Sequence, residues 1–231
     1  MFIPLYDYNP LRTITRPYVS RGLIVANVLI FVLFQSGYVV PAEQASTFGF
    51  GMIPAVISQV AVLPEQFVYI PEPLTLVTYM FVHGGWLHLA GNMLFLWVFG
   101  DNVEDAMGHV RFAVFYLACG IAAGLAHAVA VPDSEAPLVG ASGAIAGVIA
   151  AYLMLHPRVK LWVLVLGRIP LRISAQWVLG LWIAFQIVNL FVSTDDGTAW
   201  WAHVGGFAAG AVLVLVMRRP GVPLFDKGLP A

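Results

Sequence analysis

The side chains that can move a proton, attack a carbonyl or hydrogen-bond a reacting group stand out in this chain because they are few and sit in apolar surroundings. They are His83, His88 and Asn92 in one stretch, His127 in the next, Ser142 in a third, Gln186 and Asn189 in a fourth, and His203 in a fifth. A serine hydroxyl is a weak nucleophile until a base takes its proton. An imidazole titrates in the range that suits this task and can return the proton to a leaving amine. The oxyanion formed on the way needs N–H donors, which an amide, a second imidazole or the unpaired N–H groups of a helix start supply. Asp101 is about 13 Å further along the helix from Asn92, too far to serve Ser142 or His203. The pattern therefore points to a Ser142–His203 dyad without a carboxylate. His88 and Asn92, four residues apart on one helical face, and the backbone N–H groups around Ser142 are the candidate oxyanion donors. A metal is not expected, because His83 and His88, five residues apart, diverge by about 140° on a helix and no thiol or acid lies at their depth. No other cofactor is expected either.

Positioning these groups falls to helices in a membrane. Of 231 residues, 60% are hydrophobic and only 10% charged, against about 25% charged in a soluble domain. Mean hydropathy is +0.86. This excludes a disordered chain, and the single Cys119 excludes an internal disulfide framework or a Cys-rich metal site. A bilayer core of about 30 Å takes roughly 20 apolar helical residues. The stretches without Asp, Glu, Lys or Arg that reach this length predict six transmembrane helices, at about 22–40, 84–103, 111–131, 139–156, 174–193 and 199–218. They form one domain, 22–218, between cytoplasmic tails at 1–21 and 219–231. A seventh charge-free stretch, 44–64, carries Gly49, Gly51 and Pro54 and reads as a submerged or re-entrant outer loop. With this choice all eleven basic residues fall on one side, and Glu43, Glu65, Glu72, Asp133, Glu135, Asp195 and Asp196 on the other. That is the positive-inside pattern, which a seventh span would break. The residues before the first span do not read as a cleavable signal. The basic segment 156–172 is expected to lie along the cytoplasmic interface.

The second, fourth and sixth helices all start at the outer face, so His88, Asn92, Ser142 and His203 share a depth of roughly 5–10 Å below it. Gly143 and Gly147 on one helix form a small-xxx-small stripe, and His203, Gly206 and Gly210 share one face of another. Such stripes let two helices approach closely. Taken singly, Ser142 reads as a packing residue, His203 as an interfacial hydrogen bonder, His127 as an interfacial or packing residue, and Gln186 and Asn189 as ties between helices. The coincidence of depth, direction and stripes is what joins Ser142 to His203.

These residues resemble three motifs of the rhomboid intramembrane serine proteases. Gly140-Ala141-Ser142-Gly143 is similar to the family's GxSG nucleophile motif. Ala202-His203-Val204-Gly205-Gly206, continuing to Gly210, is similar to its sixth-helix motif. The run from His83 through His88 to Asn92 is similar to its second-helix motif. The resemblance begins near Ile3-Pro4-Leu5 and Asn9-Pro10, as in bacterial members. It implies Ser142 as nucleophile, His203 as base, and His88 and Asn92 as oxyanion residues. It also implies His83, Gly140, Gly143, Gly206 and Gly210 as structural neighbours of the site. The implied fold is a six-helix rhomboid-like bundle, all-α, with a submerged first outer loop. The implied activity is cleavage of peptide bonds in or near transmembrane segments of other membrane proteins. The partners are then transmembrane protein substrates and the lipid bilayer, with no nucleic acid and no oligomeric state specified. The location implied is a bacterial inner membrane, multi-pass, with the active site opening outward.

Two departures carry consequences. Many members place an aromatic residue one turn after the serine, stacked on the imidazole; here it is Ala146, so another contact must hold His203. Many carry a Trp-Arg pair in the first outer loop, whereas residues 41–76 hold no Arg. The fifth helix, with Trp177, Trp182 and Phe185 and no glycine stripe, is the expected substrate gate. An inactive rhomboid-like client-binding protein is the alternative, and the retained serine and histidine weigh against it. A small transporter is set aside for want of half-to-half repeats.

Overall fold

The fold was examined in a computed structural model, which describes residues 2–192 and 198–226. Asp195, Asp196 and Lys227, used in the charge count, lie outside the described residues, as does the end of the predicted fifth helix. The chain starts with strand β1 (Phe2–Asp7) and helix α1 (Tyr18–Ile30), which runs into a π-helical turn at Phe31–Gln35. Short helices α2 (Glu43–Phe50), α3 (Pro54–Ile57) and α4 (Thr75–Thr78) follow, and then the long α5 (Trp86–Met107) and α6 (His109–Ala130). Helix α7 (Ser142–Leu155) leads into strands β2 (Lys160–Val165) and β3 (Ile169–Ser174), followed by α8 (Ala175–Val192) and α9 (Trp200–Met217).

Among the described residues, four helical stretches are long and apolar enough to cross a bilayer: Tyr18–Gln35, His109–Ala130, Ala175–Val192 and Trp200–Met217. Helix α7 is shorter and is apolar all round, which is the signature of a helix enclosed on every side. Gly143 through Tyr152 are all buried. At 1.5 Å per residue its 14 residues cover about 21 Å.

The expectation of an all-α fold is corrected. The protein is mostly helical, but segment 156–172 contributes a β-hairpin. The hairpin joins β1 in a three-stranded antiparallel sheet of order β1-β2-β3. The reason is the two-residue period of β2: Leu161 and Val163 are buried while Lys160 and Trp162 face out. Pro170 is tolerated because β3 is an edge strand. The turn between the strands has positive φ at Leu166 (54°) and Gly167 (68°), the geometry of a tight hairpin. Residues 2–7, assigned to a tail, are thus a strand.

The C-terminal end of α5 carries charge that holds the N-terminal segment. Asp105 accepts the N–H groups of Arg12 (2.9 Å), Thr13 (2.7 Å) and Ile14 (2.7 Å). Helix α1 has no side-chain cap of its own. Glu104 supplies one, accepting from Val19 N–H at 3.0 Å and Ser20 N–H at 2.8 Å, and from the Ser20 hydroxyl at 2.7 Å. These are helix-start donors that would otherwise be unpaired.

Candidate active site

Helix α7 starts at Ser142 because the chain before it is clamped and turned. Leu138 and Met52 exchange backbone hydrogen bonds (2.7 and 3.0 Å), and Gly140 N–H donates to the Tyr79 carbonyl at 2.9 Å. Gly140 has φ +114°, which a side chain rarely adopts, and a Cβ there would lie 2.6 Å from Cε1 and Nε2 of His88 and 3.5 Å from Nδ2 of Asn92. Gly140 is therefore the point where α5 and the turn before Ser142 meet.

The glycine stripes do what their spacing predicts. A Cβ on Gly206 would overlap the carbonyl oxygen of Gly143, and one on Gly210 that of Gly147. Helices α7 and α9 therefore touch backbone to backbone. On the opposite side a Cβ on Gly143 would lie 2.6 Å from Cβ of Ala123 on α6. Cys119 packs against Gly147 and is buried and free.

This contact aligns two side chains. His203, in the first turn of α9, brings Nε2 to 2.9 Å from Ser142 Oγ. Its Nδ1 lies 2.7 Å from Oε1 of Gln186 on α8. The ring is flanked by Trp182, with centroids 6.0 Å apart, and by Trp200 at 6.1 Å, edge-on at 90°. Two indoles and an amide thus occupy the role left open by Ala146.

His88 and Asn92 stand one turn apart on α5. Gly84 N–H approaches His88 Nδ1 at 3.4 Å, so Nδ1 accepts and Nε2, beside Gly140, carries the proton. Asn92 is buried, and its Nδ2 has no hydrogen-bond partner among the described residues. A buried amide donor left unpaired costs free energy, which a site recovers when an acceptor binds. Within α7 the first helical bond runs from Ile145 N–H to the Ala141 carbonyl at 3.0 Å. The N–H groups of Ser142, Gly143 and Ala144 precede that ladder. His83 touches His88 edge-on, with centroids 5.2 Å apart, and its backbone N–H donates to Gln35 Oε1 at 3.1 Å. It braces His88 and does not reach Ser142.

Above the serine lies a cavity of about 830 Å³, lined by His88, His127, Ser142, Asn189, Trp200 and His203 among others. The arrangement can transfer the Ser142 proton to His203 and present N–H donors to negative charge developing nearby. Of the expected site residues, Ser142, His203 and His88 line the cavity, Asn92 stands beside Gly140, and Gly206 and Gly210 pack against Gly143 and Gly147; His83 stays one layer back, against His88. Sequence reasoning missed Gln186, taken as a tie between helices, and the lining position of His127, taken as packing. Gln186 had a signal: it lies about seven residues from the outer end of its helix and His203 about four from the start of the next. That arithmetic puts both at one depth.

A family model described as Rhomboid domain matches residues 70–220. The rhomboid protease GluP of Bacillus subtilis is 33% identical over 156 residues, covering 67% of this chain and 28% of that protein. RHOMBOID-like protein 5 of Arabidopsis thaliana is 30% identical over 164 residues, 70% of this chain and 50% of that protein. Rhomboid-type serine protease 2 of Emericella nidulans is 30% identical over 151 residues, 61% of this chain and 26% of that protein. The chain thus spans half or less of the length of these curated relatives. The chain belongs to the rhomboid family of integral membrane proteins.

Proposed function

We propose that the chain is an intramembrane serine endopeptidase that cuts peptide bonds in or near transmembrane segments of other membrane proteins. The 2.9 Å approach of His203 Nε2 to Ser142 Oγ, at the floor of a cavity, carries this reading. Ser142 attacks the scissile carbonyl as its proton passes to His203 Nε2. The oxyanion is received by the Asn92 amide, His88 Nε2–H and the N–H groups at the start of α7. The imidazolium then protonates the leaving amine, giving an acyl-enzyme. A water entering through the cavity, deprotonated by the same imidazole, hydrolyses it.

The bundle in this reading has six spans: the four long apolar helices plus α5 and α7. Helix α5, at 22 residues, is about 33 Å long. Its Asp101, Glu104 and Asp105 sit at the end that binds the N-terminal segment, so its other end is free of charge. The domain runs over about 22–218, flanked by cytoplasmic segments. The sheet and the basic residues face the cytoplasm, and the cavity opens to the outer face of a bacterial inner membrane. The first outer loop is submerged: Val60, Val62, Val68 and Tyr69 on it are all more than half exposed, an apolar surface suited to lipid headgroups. Helix α8 is the gate, and crosslinking it to α5 with no loss of activity would overturn that assignment.

The test is cleavage of a transmembrane reporter in liposomes by the wild type, Ser142→Ala and His203→Ala. Cleavage by the wild type alone supports the dyad. Cleavage surviving Ser142→Ala overturns it. Labelling of Ser142 by a fluorophosphonate without reporter cleavage would point to a narrow substrate requirement.

A further inference from the structure

Helix α8 presents an almost wholly apolar surface, and its buried residues are Ala175, Val178, Leu179 and Gln186. The first three lie at its start. Along its outer half, Phe185, Ile187, Val188, Phe191 and Val192 are exposed, and Gln186 at 4% exposure is the side chain that turns inward. Burying an amide among apolar neighbours is costly unless both of its ends are bonded. Gln186 meets that condition. Its Nε2 donates to the Trp182 carbonyl at 3.3 Å, and its Oε1 lies 2.7 Å from His203 Nδ1.

The direction of these bonds fixes a protonation pattern. The Trp182 carbonyl can only accept, so it selects the NH2 end of the amide and leaves Oε1 facing the imidazole. Oε1 can only accept, so Nδ1 must carry the hydrogen. In the neutral ring Nε2 is then the lone-pair nitrogen, and it is the one facing Ser142 Oγ at 2.9 Å. The opposite tautomer would aim an N–H at the serine and could not take its proton. We propose that Gln186 is a positioning residue that holds His203 in the tautomer and orientation able to accept the Ser142 proton, and that it makes the dyad depend on the seating of α8. This rests on the reading of His203 as the base.

The proton balance is simple. When Nε2 takes the Ser142 proton, Nδ1–H stays on the ring and its bond to Oε1 shortens as the ring gains charge. No proton passes to Gln186. A neutral amide suits this position because an ionised carboxylate at membrane depth is expensive to hold. Since Gln186 is the buried contact of the outer half of α8, any outward tilt of that half removes the acceptor from Nδ1.

The experiment compares Gln186→Met, of similar length without an acceptor, and Gln186→Glu, which keeps an oxygen at similar reach. The readouts are reporter cleavage in liposomes and the rate of fluorophosphonate labelling of Ser142, with thermal midpoints alongside. Gln186→Met is expected to lower kcat and the labelling rate by about 10- to 100-fold with KM unchanged, since general-base assistance contributes about 10²–10⁴-fold and is only partly lost. Its thermal midpoint should stay near that of the wild type. Gln186→Glu should recover most of both rates. A Gln186→Met enzyme within twofold of wild type in kcat and labelling overturns the proposal, as does a Gln186→Glu variant as impaired as Gln186→Met. Labelling unaffected by His203→Ala would instead remove the base reading, and this assignment with it. A labelling rate that depends on His203 but not on Gln186 removes only the latter.

Discussion

Replacing Gly206 with alanine tests whether backbone contact between α7 and α9 is what aligns the dyad. A Cβ built at Gly206 lies 2.9 Å from the carbonyl carbon of Gly143 and overlaps its oxygen. Non-bonded carbons prefer roughly 3.5–4.0 Å. The obstacle is backbone, so no side chain can swing aside, and the helices must part by about 1 Å at that level. His203 is three residues from Gly206, and Ser142 is next to Gly143, so the separation passes almost undiminished to the dyad. The Nε2 to Oγ distance of 2.9 Å then grows to about 3.9 Å, beyond hydrogen-bond reach. A misplacement of about 1 Å costs on the order of 100-fold in rate, and overpacking costs about 1–3 kcal/mol of stability. The assay is kcat on a transmembrane reporter in liposomes, with the thermal midpoint of the same preparation. Gly91→Ala is the matched control, because a Cβ at Gly91, on the exposed side of α5, meets nothing within 4 Å; it should leave kcat unchanged. A Gly206→Ala protein that is folded and keeps wild-type kcat would refute the alignment argument.

Asn92→Ala should lower kcat by about 100-fold, in the range for loss of an oxyanion donor. Because Asn92 Nδ2 has no partner among the described residues, the same change should leave the thermal midpoint equal or higher; a large fall in midpoint would show that the amide is structural. Asp105→Ala strips an acceptor from three backbone N–H groups and should cost about 2–4 kcal/mol of stability by chemical or thermal unfolding, with kcat intact below the transition. Asp7, hydrogen-bonded to the Tyr152 hydroxyl at 2.6 Å, has its carboxyl pushed by burial from an ordinary 3.8 up to about 6. The folded protein therefore holds a proton there that the unfolded chain releases. Its stabilising contribution is complete below pH 3.8 and is lost as pH rises through about 6. The thermal midpoint should fall more between pH 5 and pH 7.5 in the wild type than in Asp7→Asn, and equal slopes would contradict the assignment.

The site was more legible in the sequence than the fold. Ser142, His203, His88 and Asn92 are polar side chains at one calculated depth in apolar helices, and the cost of burying them leaves few arrangements. The glycine stripes of α7 and α9 were readable for a related reason: a missing Cβ matters only where another backbone comes close. Gln186 was visible as a buried amide, but its partner was not. A tie between helices and a brace on an imidazole have the same residue type and the same depth, and only the rotation of α8 separates them. The sheet was hidden because its strands are short and far apart in the chain. Lys160 through Val165 alternates in period two, yet beside a run of basic residues it also reads as an interfacial segment. Nothing local marks Phe2–Asp7 as its partner. The carboxylates of Glu104 and Asp105 were equally silent, since most of their partners are backbone N–H groups, which carry no residue signature.

The pairing of β1 with β2 has a consequence for how the molecule is made. Phe2 pairs with Val165 and Asp7 with Leu161, a separation of about 160 residues. The hairpin of β2 and β3 is local and closes quickly, whereas β1 has no partner until the helices between have been synthesised. At roughly 5–20 residues per second that is on the order of 10–30 s of waiting for a segment whose hydrogen-bonding groups are unsatisfied by the fold. Long-range pairing of this kind pays its loop-closure entropy late. Docking of β1 also brings Asp7 to Tyr152 in the central helix, 145 residues further along, so β1 leaves the ribosome well before the partners that lock it. A nascent chain stalled before residue 160 would carry α1 to α7 but neither this latch nor α8 and α9, and protease sensitivity of the N-terminal segment would mark the moment of closure.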